Sequence, residues 1–155
     1  MNLQGADLRS KSKDELDDIF RAAEAGPIPA GRSRGTAIIA PGSWIDGPLA
    51  LLVRLFWWKG KIFRPETRDL KNRISPFGIP AIRAQVYVDE SWFSPGPAII
   101  LDYSKSSFVA GWIRDEIREV GPGVYLGQVY GGKRRLILFM LEFPPGAAVP
   151  AGGAA

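Results

Sequence analysis

At 155 residues and 16.9 kDa, with 46% hydrophobic and 23% charged side chains, the chain is sized for one domain with a sizeable core. It has neither cysteine nor histidine. That excludes disulfide frameworks, thiolate nucleophiles, thiolate zinc and iron–sulfur sites, histidine-based triads and histidine-ligated metals, so no metal or other cofactor is expected. The net charge of +4 is uneven: residues 1–26 hold six acids against four bases, leaving ten acids against sixteen bases in the remainder. A basic body favours an anionic ligand or surface, but the excess is too small to point to a nucleic-acid partner.

The first predicted element is a helix over residues 13–25. Ser12 and Glu15 form a capping box, Leu16, Ile19, Phe20 and Ala23 mark one face, and Gly26-Pro27 supplies the stop. Its acids Asp14, Glu15, Asp17 and Asp18 read as a solvated face favoured by the helix dipole, since the spacing of a calcium loop is missing. Residues 26–35 have the composition of a linker, and Thr36–Ala40 reads as a short strand. Pro48–Trp58, interrupted only by Arg54, reads as a short helix that is apolar on every side. It falls well short of the ~20 residues of a membrane span. The N-terminal segment lacks the basic and apolar regions of a signal peptide, so the expected compartment is cytoplasmic.

From there the period becomes two. Short strands are predicted at Lys59–Arg64 and Asp69–Ile74, and a clearer one at Ala81–Asp89, with Ile82, Ala84, Val86 and Val88 on one face. That strand joins Ala98–Ser104 through Ser94-Pro95-Gly96-Pro97. A second hairpin pairs Val124–Tyr130 with Lys133–Phe143 across Gly131-Gly132. Phe108–Val120 fits helix and strand alike, and its charged stretch Arg114–Glu119 reads as a mostly solvated face in either form. The tail at 144–155 is rich in Pro, Gly and Ala and is expected to be disordered.

The expected fold is therefore mainly β, an antiparallel meander closing to a barrel of about 6–8 strands, with an N-terminal helix and one short apolar helix. The organisation is residues 1–33 as helix and linker, 34–143 as barrel, and 144–155 as tail. In the last strand Leu136, Leu138 and Met140 face one way and Ile137, Phe139 and Leu141 the other, so both faces are covered. Gly42-Ser43-Trp44, set after an N-terminal helix and ahead of a strand meander, resembles the G-x-W signature of lipocalins and their calycin relatives. The resemblance implies a barrel holding a small apolar ligand, with Gly42 and Trp44 as structural residues and Trp44 plugging one end.

Two apparent motifs dissolve on inspection. Gly127–Lys133 matches part of a phosphate-binding loop, yet Arg134 stands where Ser or Thr is needed and a strand follows, so it reads as a hairpin turn. The aromatics and bases of Trp57–Arg64 read as a helix end followed by a half-buried strand. Asp102 is the most informative carboxylate. It shares a face with Ala98 and Ile100, and if that face is inward its pKa rises unless Arg83 or phenol donors pair with it.

The first functional reading is a barrel binding a small apolar or amphipathic ligand, lipid-, isoprenoid- or polyketide-like. Arg83 is the candidate contact for an anionic head group, and Trp44, Phe56, Tyr87 and Tyr125 are candidate walls. A second reading makes the same pocket a cofactor-free isomerase or cyclase, with Asp102 as base and a tyrosine as acid, Tyr103 foremost among Tyr87, Tyr103, Tyr125 and Tyr130. A third is an interaction module whose Leu49–Trp58 helix contacts a membrane surface, a partner or a second copy.

Overall fold

A computed structural model of the chain describes residues 1–38, 61–64, 66–72, 83–105 and 111–145. Two helices, α1 (Gly5–Arg9) and α2 (Lys13–Ala22), precede nine strands: β1 (Gly31–Arg32), β2 (Arg34–Ile38), β3 (Lys61–Arg64), β4 (Asp69–Asn72), β5 (Arg83–Glu90), β6 (Pro97–Asp102), β7 (Ile113–Gly121), β8 (Val124–Gly131) and β9 (Arg134–Glu142). All belong to one antiparallel sheet in the order β1-β3-β4-β5-β6-β7-β8-β9-β2. The protein is thus mainly β, as its sequence indicates. No helix among the described residues is long and apolar enough to cross a membrane.

The predicted helix forms with its capping box. Ser12 Oγ accepts from Glu15 N at 3.2 Å, and Glu15 Oε2 accepts from Ser12 N at 2.7 Å. It ends at Ala22, because Ala23 is already extended. The shorter α1 gives too little periodicity to be read from sequence. Residues 26–35 correct the linker reading: Gly31 and Arg32 pair with β3, and Arg34 and Gly35 pair with β9. Nothing in their composition favours strand, so it is the pairing partners that impose it. The ambiguous segment after Gly111 is a strand, β7. The predicted helix at 48–58 and most of the 144–155 tail lie outside the described residues.

Two apolar clusters divide the side chains between the faces of the sheet. One face carries Phe63, Val86, Ile99, Leu101, Tyr103, Ile117, Phe139 and Leu141; the other carries Ala98, Ile100, Val120, Leu126, Leu138 and Met140, covered by Leu8, Leu16 and Phe20 of the two helices. The first face is concave. Lys61 on β3 touches Asp115 on β7, although three strands lie between them. On a flat sheet those strands would be about 19 Å apart, four spacings of ~4.8 Å, beyond the reach of the two side chains.

The helix-covered face overturns the solvated-face reading of Arg114–Glu119, and that of the α2 acids at Asp17 alone, since Asp14, Glu15 and Asp18 are exposed. On β7, Glu116 and Arg118 are buried and Arg114 is mostly so. Glu116 accepts from Ser91 Oγ, Trp92 N, Arg114 and Gln128. Arg118 donates to the carbonyls of Phe20, Pro95, Gly96 and Pro97 and to Ser94 Oγ. Together they bind the β5–β6 loop and the end of α2 to the sheet. Asp17 is buried as well, held bidentately by Arg135 at 2.7 and 2.9 Å and by Lys13 at 3.0 Å. A buried charge needs such partners, and the long guanidinium stems cover the apolar surface around it.

Candidate functional site

Strand alternation decides where each predicted residue goes. Ala84 and Val86 of β5 face the concave side, which places Arg83, Gln85 and Tyr87 on the other. On β6, Ile99 and Leu101 face the concave side, followed by Tyr103, while Asp102 shares the helix-covered side with Ala98 and Ile100. Asp102 and Tyr103 therefore do not converge on one site. Arg83, Tyr87 and Asp102 do converge, lining a cleft of about 720 Å3 together with Arg68, Gln85 and Lys105.

In that cleft Tyr87 Oη donates to Asp102 Oδ2 at 2.9 Å, and Ser104 N donates to Asp102 Oδ1 at 2.9 Å. Burial by itself would lift the Asp102 carboxyl, but the hydrogen bonds from Ser104 and Tyr87 outweigh it and hold it below the usual carboxylate range. Burial and the neighbouring Asp102 push the Tyr87 phenol up. The expected Asp102–Arg83 pair does not form. An ionised, hydrogen-bonded Asp102 is a weak base, which is the opposite of what the acid–base reading requires.

Three exposed cations, Arg68, Arg83 and Lys105, line this cleft and make no ion pair with another described residue. Arg68 ends the β3–β4 loop with φ of +50°, a left-handed conformation that costs a non-glycine residue about 1–2 kcal/mol. It is held there by its carbonyl, which accepts from Val86 N at 2.8 Å. Asp69 beside it is neutralised by Arg64 at 2.6 Å. A smaller pocket of about 110 Å3 adjoins the cleft, sharing Arg68, Asp69 and Val86 with it. Its remaining walls are Ile28, Pro29, Phe63 and the Arg64 side chain, whose buried Nε has no hydrogen-bond partner. That volume is on the order of the space a single small ring occupies.

The concave face holds a second polar group that the sequence reading did not single out. Lys61 Nζ donates to Tyr103 Oη at 2.9 Å and forms a short ion pair with Asp115, all three side chains being buried. Burial opposes the Lys61 charge, but Asp115 and Tyr103 hold its pKa above the ordinary lysine value. Burial likewise pushes the Asp115 carboxyl up, against the pull of the ammonium. Lys61 is therefore a protonated cross-tie and no free amine nucleophile. Asp115 Oδ1 is buried without a hydrogen-bond partner. The sequence signal was the Lys61, Phe63 alternation, which places a lysine on an apolar face.

Tyr125 is fully buried, its hydroxyl donating to the Pro27 carbonyl at 2.7 Å, which ties the chain entering β1 to β8. Trp44 and Phe56 lie outside the described residues, as do the G-x-W signature and the Leu49–Trp58 segment. Among the described residues no cluster of three acids forms a metal site.

No family model matches the chain, and no curated protein matches it. Among solved structures it is similar to a crystal structure described as a protein from Thermomonospora curvata. The identity is 19%, 86% of this chain and 88% of that chain are covered, and the TM-score is 0.56. The likeness extends over most of both chains and concerns the fold alone.

Proposed function

We propose that the sheet closes into an eight-stranded, calycin-like barrel, and that it binds a small amphipathic anion. What supports closure is that β1 and β2 are separated by Ser33 alone, one pairing with β3 and the other with β9. Ser33 continues the ladder, donating to the Lys61 carbonyl from its N–H at 2.9 Å and its Oγ at 3.0 Å. Read as one kinked strand, residues 31–38 join both edges of the meander and leave no open edge.

The binding reading rests on one observation: the apolar pocket behind Phe63 and Val86 opens beside a cleft whose cations make no ion pair among the described residues. An apolar body fits the first and an anionic head group fits the second, with Arg68 and Arg83 as its contacts and the Arg64 Nε as an inner donor. Native mass spectrometry of the purified chain, followed by organic extraction, tests it. Bound mass that extracts as an organic acid is the expected result. An apo chain that takes up no carboxylate, phosphate or sulfate ester of short hydrocarbons refutes it. The acid–base reading has less support: Asp102 and Tyr103 lie on opposite faces, and in the Asp102–Tyr87 pair the carboxyl is held low and the phenol pushed up, which makes a weak base beside a weak acid.

A further inference from the structure

Two tryptophans are half exposed, Trp92 at 48% and Trp112 at 45%, and both line a groove of about 330 Å3 beside the β8–β9 turn. Both are held in place. The Trp92 N–H donates to Glu116 Oε1 at 2.7 Å, Tyr130 meets the Trp92 ring edge-on at 5.3 Å, and the Arg114 guanidinium sits 4.1 Å from its centroid. The Trp112 ring rests on Gly131, where any Cβ would collide with it, and the Trp112 carbonyl accepts from Gly132 N at 2.8 Å. Gly131 is not in the left-handed region, so its missing side chain serves the close approach of the ring. Rings that are fixed yet exposed offer a stacking surface with little ordering cost on binding.

The polar complement of the groove is one-sided. Asp102, its carboxylate, is occupied by Tyr87 and Ser104. Arg114 Nε is buried with no hydrogen-bond partner, and exposed Lys133 makes no ion pair with a described residue. The open capacity is thus for an acceptor, and the local free charge is positive. A sugar, which needs acceptors and donors in similar number, fits this less well than an anion does.

We propose that the Trp92–Trp112 groove binds an aromatic carboxylate, its ring stacked on the tryptophans and its carboxylate held by Arg114 and Lys133. The site is separate from the Arg68–Arg83 cleft, with which it shares Asp102. Calorimetric titration of the full chain with naphthoate, naphthalenemethanol and cyclohexanecarboxylate tests it. In R68E/R83E, whose other cleft no longer attracts anions, naphthoate is expected to bind at one per chain and at least ten-fold more tightly than either of the others. Trp112→Ala and Gly131→Ala, which remove or displace the ring, should each weaken naphthoate ten-fold or more, whereas the R68E/R83E variant should leave it unchanged.

The proposal is overturned by equal affinity for naphthoate and either control, by absence of naphthoate binding, or by naphthoate binding to Trp112→Ala as tightly as to the unaltered chain. Loss of naphthoate binding in R68E/R83E would also overturn it, placing the probe in the other cleft. The three-ligand comparison needs only the exposed R68E/R83E changes, so a Trp112 or Gly131 substitution that prevents folding does not remove the test.

Discussion

Replacing Lys61 alone should be far more damaging than replacing it together with Asp115. Lys61→Met leaves Asp115 buried at 2% exposure, with one oxygen already unpartnered and the other stripped of its ammonium. Removing one member of a buried pair costs about 3–5 kcal/mol, whereas replacing both by apolar groups of similar volume is often neutral or stabilising by ~1–4 kcal/mol. The walls around the pair are Tyr103, Phe139 and other buried apolar residues, which suit Met and Leu in its place. At roughly 2–4 °C per kcal/mol for a chain of this size, K61M should melt about 6–20 °C below the unaltered protein. K61M/D115L should melt near or above it. Urea unfolding followed by circular dichroism gives the same comparison in free energy. Equal losses in the single and double variants would refute the reasoning, since the cost would then come from packing and not from an uncompensated charge.

Three further outcomes follow from particular contacts. Asp17 is held below the usual carboxylate range, burial being outweighed by Arg135 and Lys13. Its stabilisation is therefore present above the unfolded value near ~3.9 and lost as pH falls through the lower folded value. Asp17→Asn should flatten the acid limb of a stability–pH curve, though not abolish it, because Asp69 and Asp102 are shifted the same way. Arg68→Gly removes a left-handed non-glycine residue and should raise stability by about 1 kcal/mol in urea unfolding, while weakening anion binding at the cleft. Glu116→Ala leaves Ser91 Oγ, Trp92 N and Gln128 without their shared acceptor and should cost about 2–4 kcal/mol, with faster proteolysis in the Ser91–Gly96 loop.

The alternating strands were legible because their apolar residues recur at period two: Ala84 and Val86, Leu138 and Met140. So were the capping box of α2 and the β8–β9 hairpin, although its turn is Gly132-Lys133, one residue beyond the Gly131-Gly132 pair, with Gly131 still in β8. The Arg114–Glu119 stretch was misread because charge alone says nothing of coverage. Its outward face lies under the β5–β6 loop and α2, and only tertiary packing reveals that Glu116 and Arg118 have partners there. Residues 31–35 were misread because Gly, Arg and Ser have no strand preference of their own, whereas the strand read from Thr36 is the rest of β2. Asp102, Tyr87 and Arg83 were brought to one cleft by alternation, as their spacing allowed, but their pairing was not readable from spacing. Asp102 takes hydroxyl and backbone donors within its reach, and Arg83 faces solvent. The Lys61–Asp115 contact joins residues 54 apart in sequence across the curled sheet, a relation that no local pattern encodes.

A thermal-shift titration of straight-chain carboxylates, from butyrate to dodecanoate, against the matching alcohols tests the proposed amphipathic-anion binding most directly. A ligand at one hundred times its Kd stabilises by about 2.7 kcal/mol, a shift of roughly 5–10 °C here. The account predicts shifts of that size for carboxylates of a favoured length, smaller shifts for the alcohols, and loss of the difference in R68E/R83E. Equal shifts for acids and alcohols, or shifts that R68E/R83E leaves intact, would contradict it.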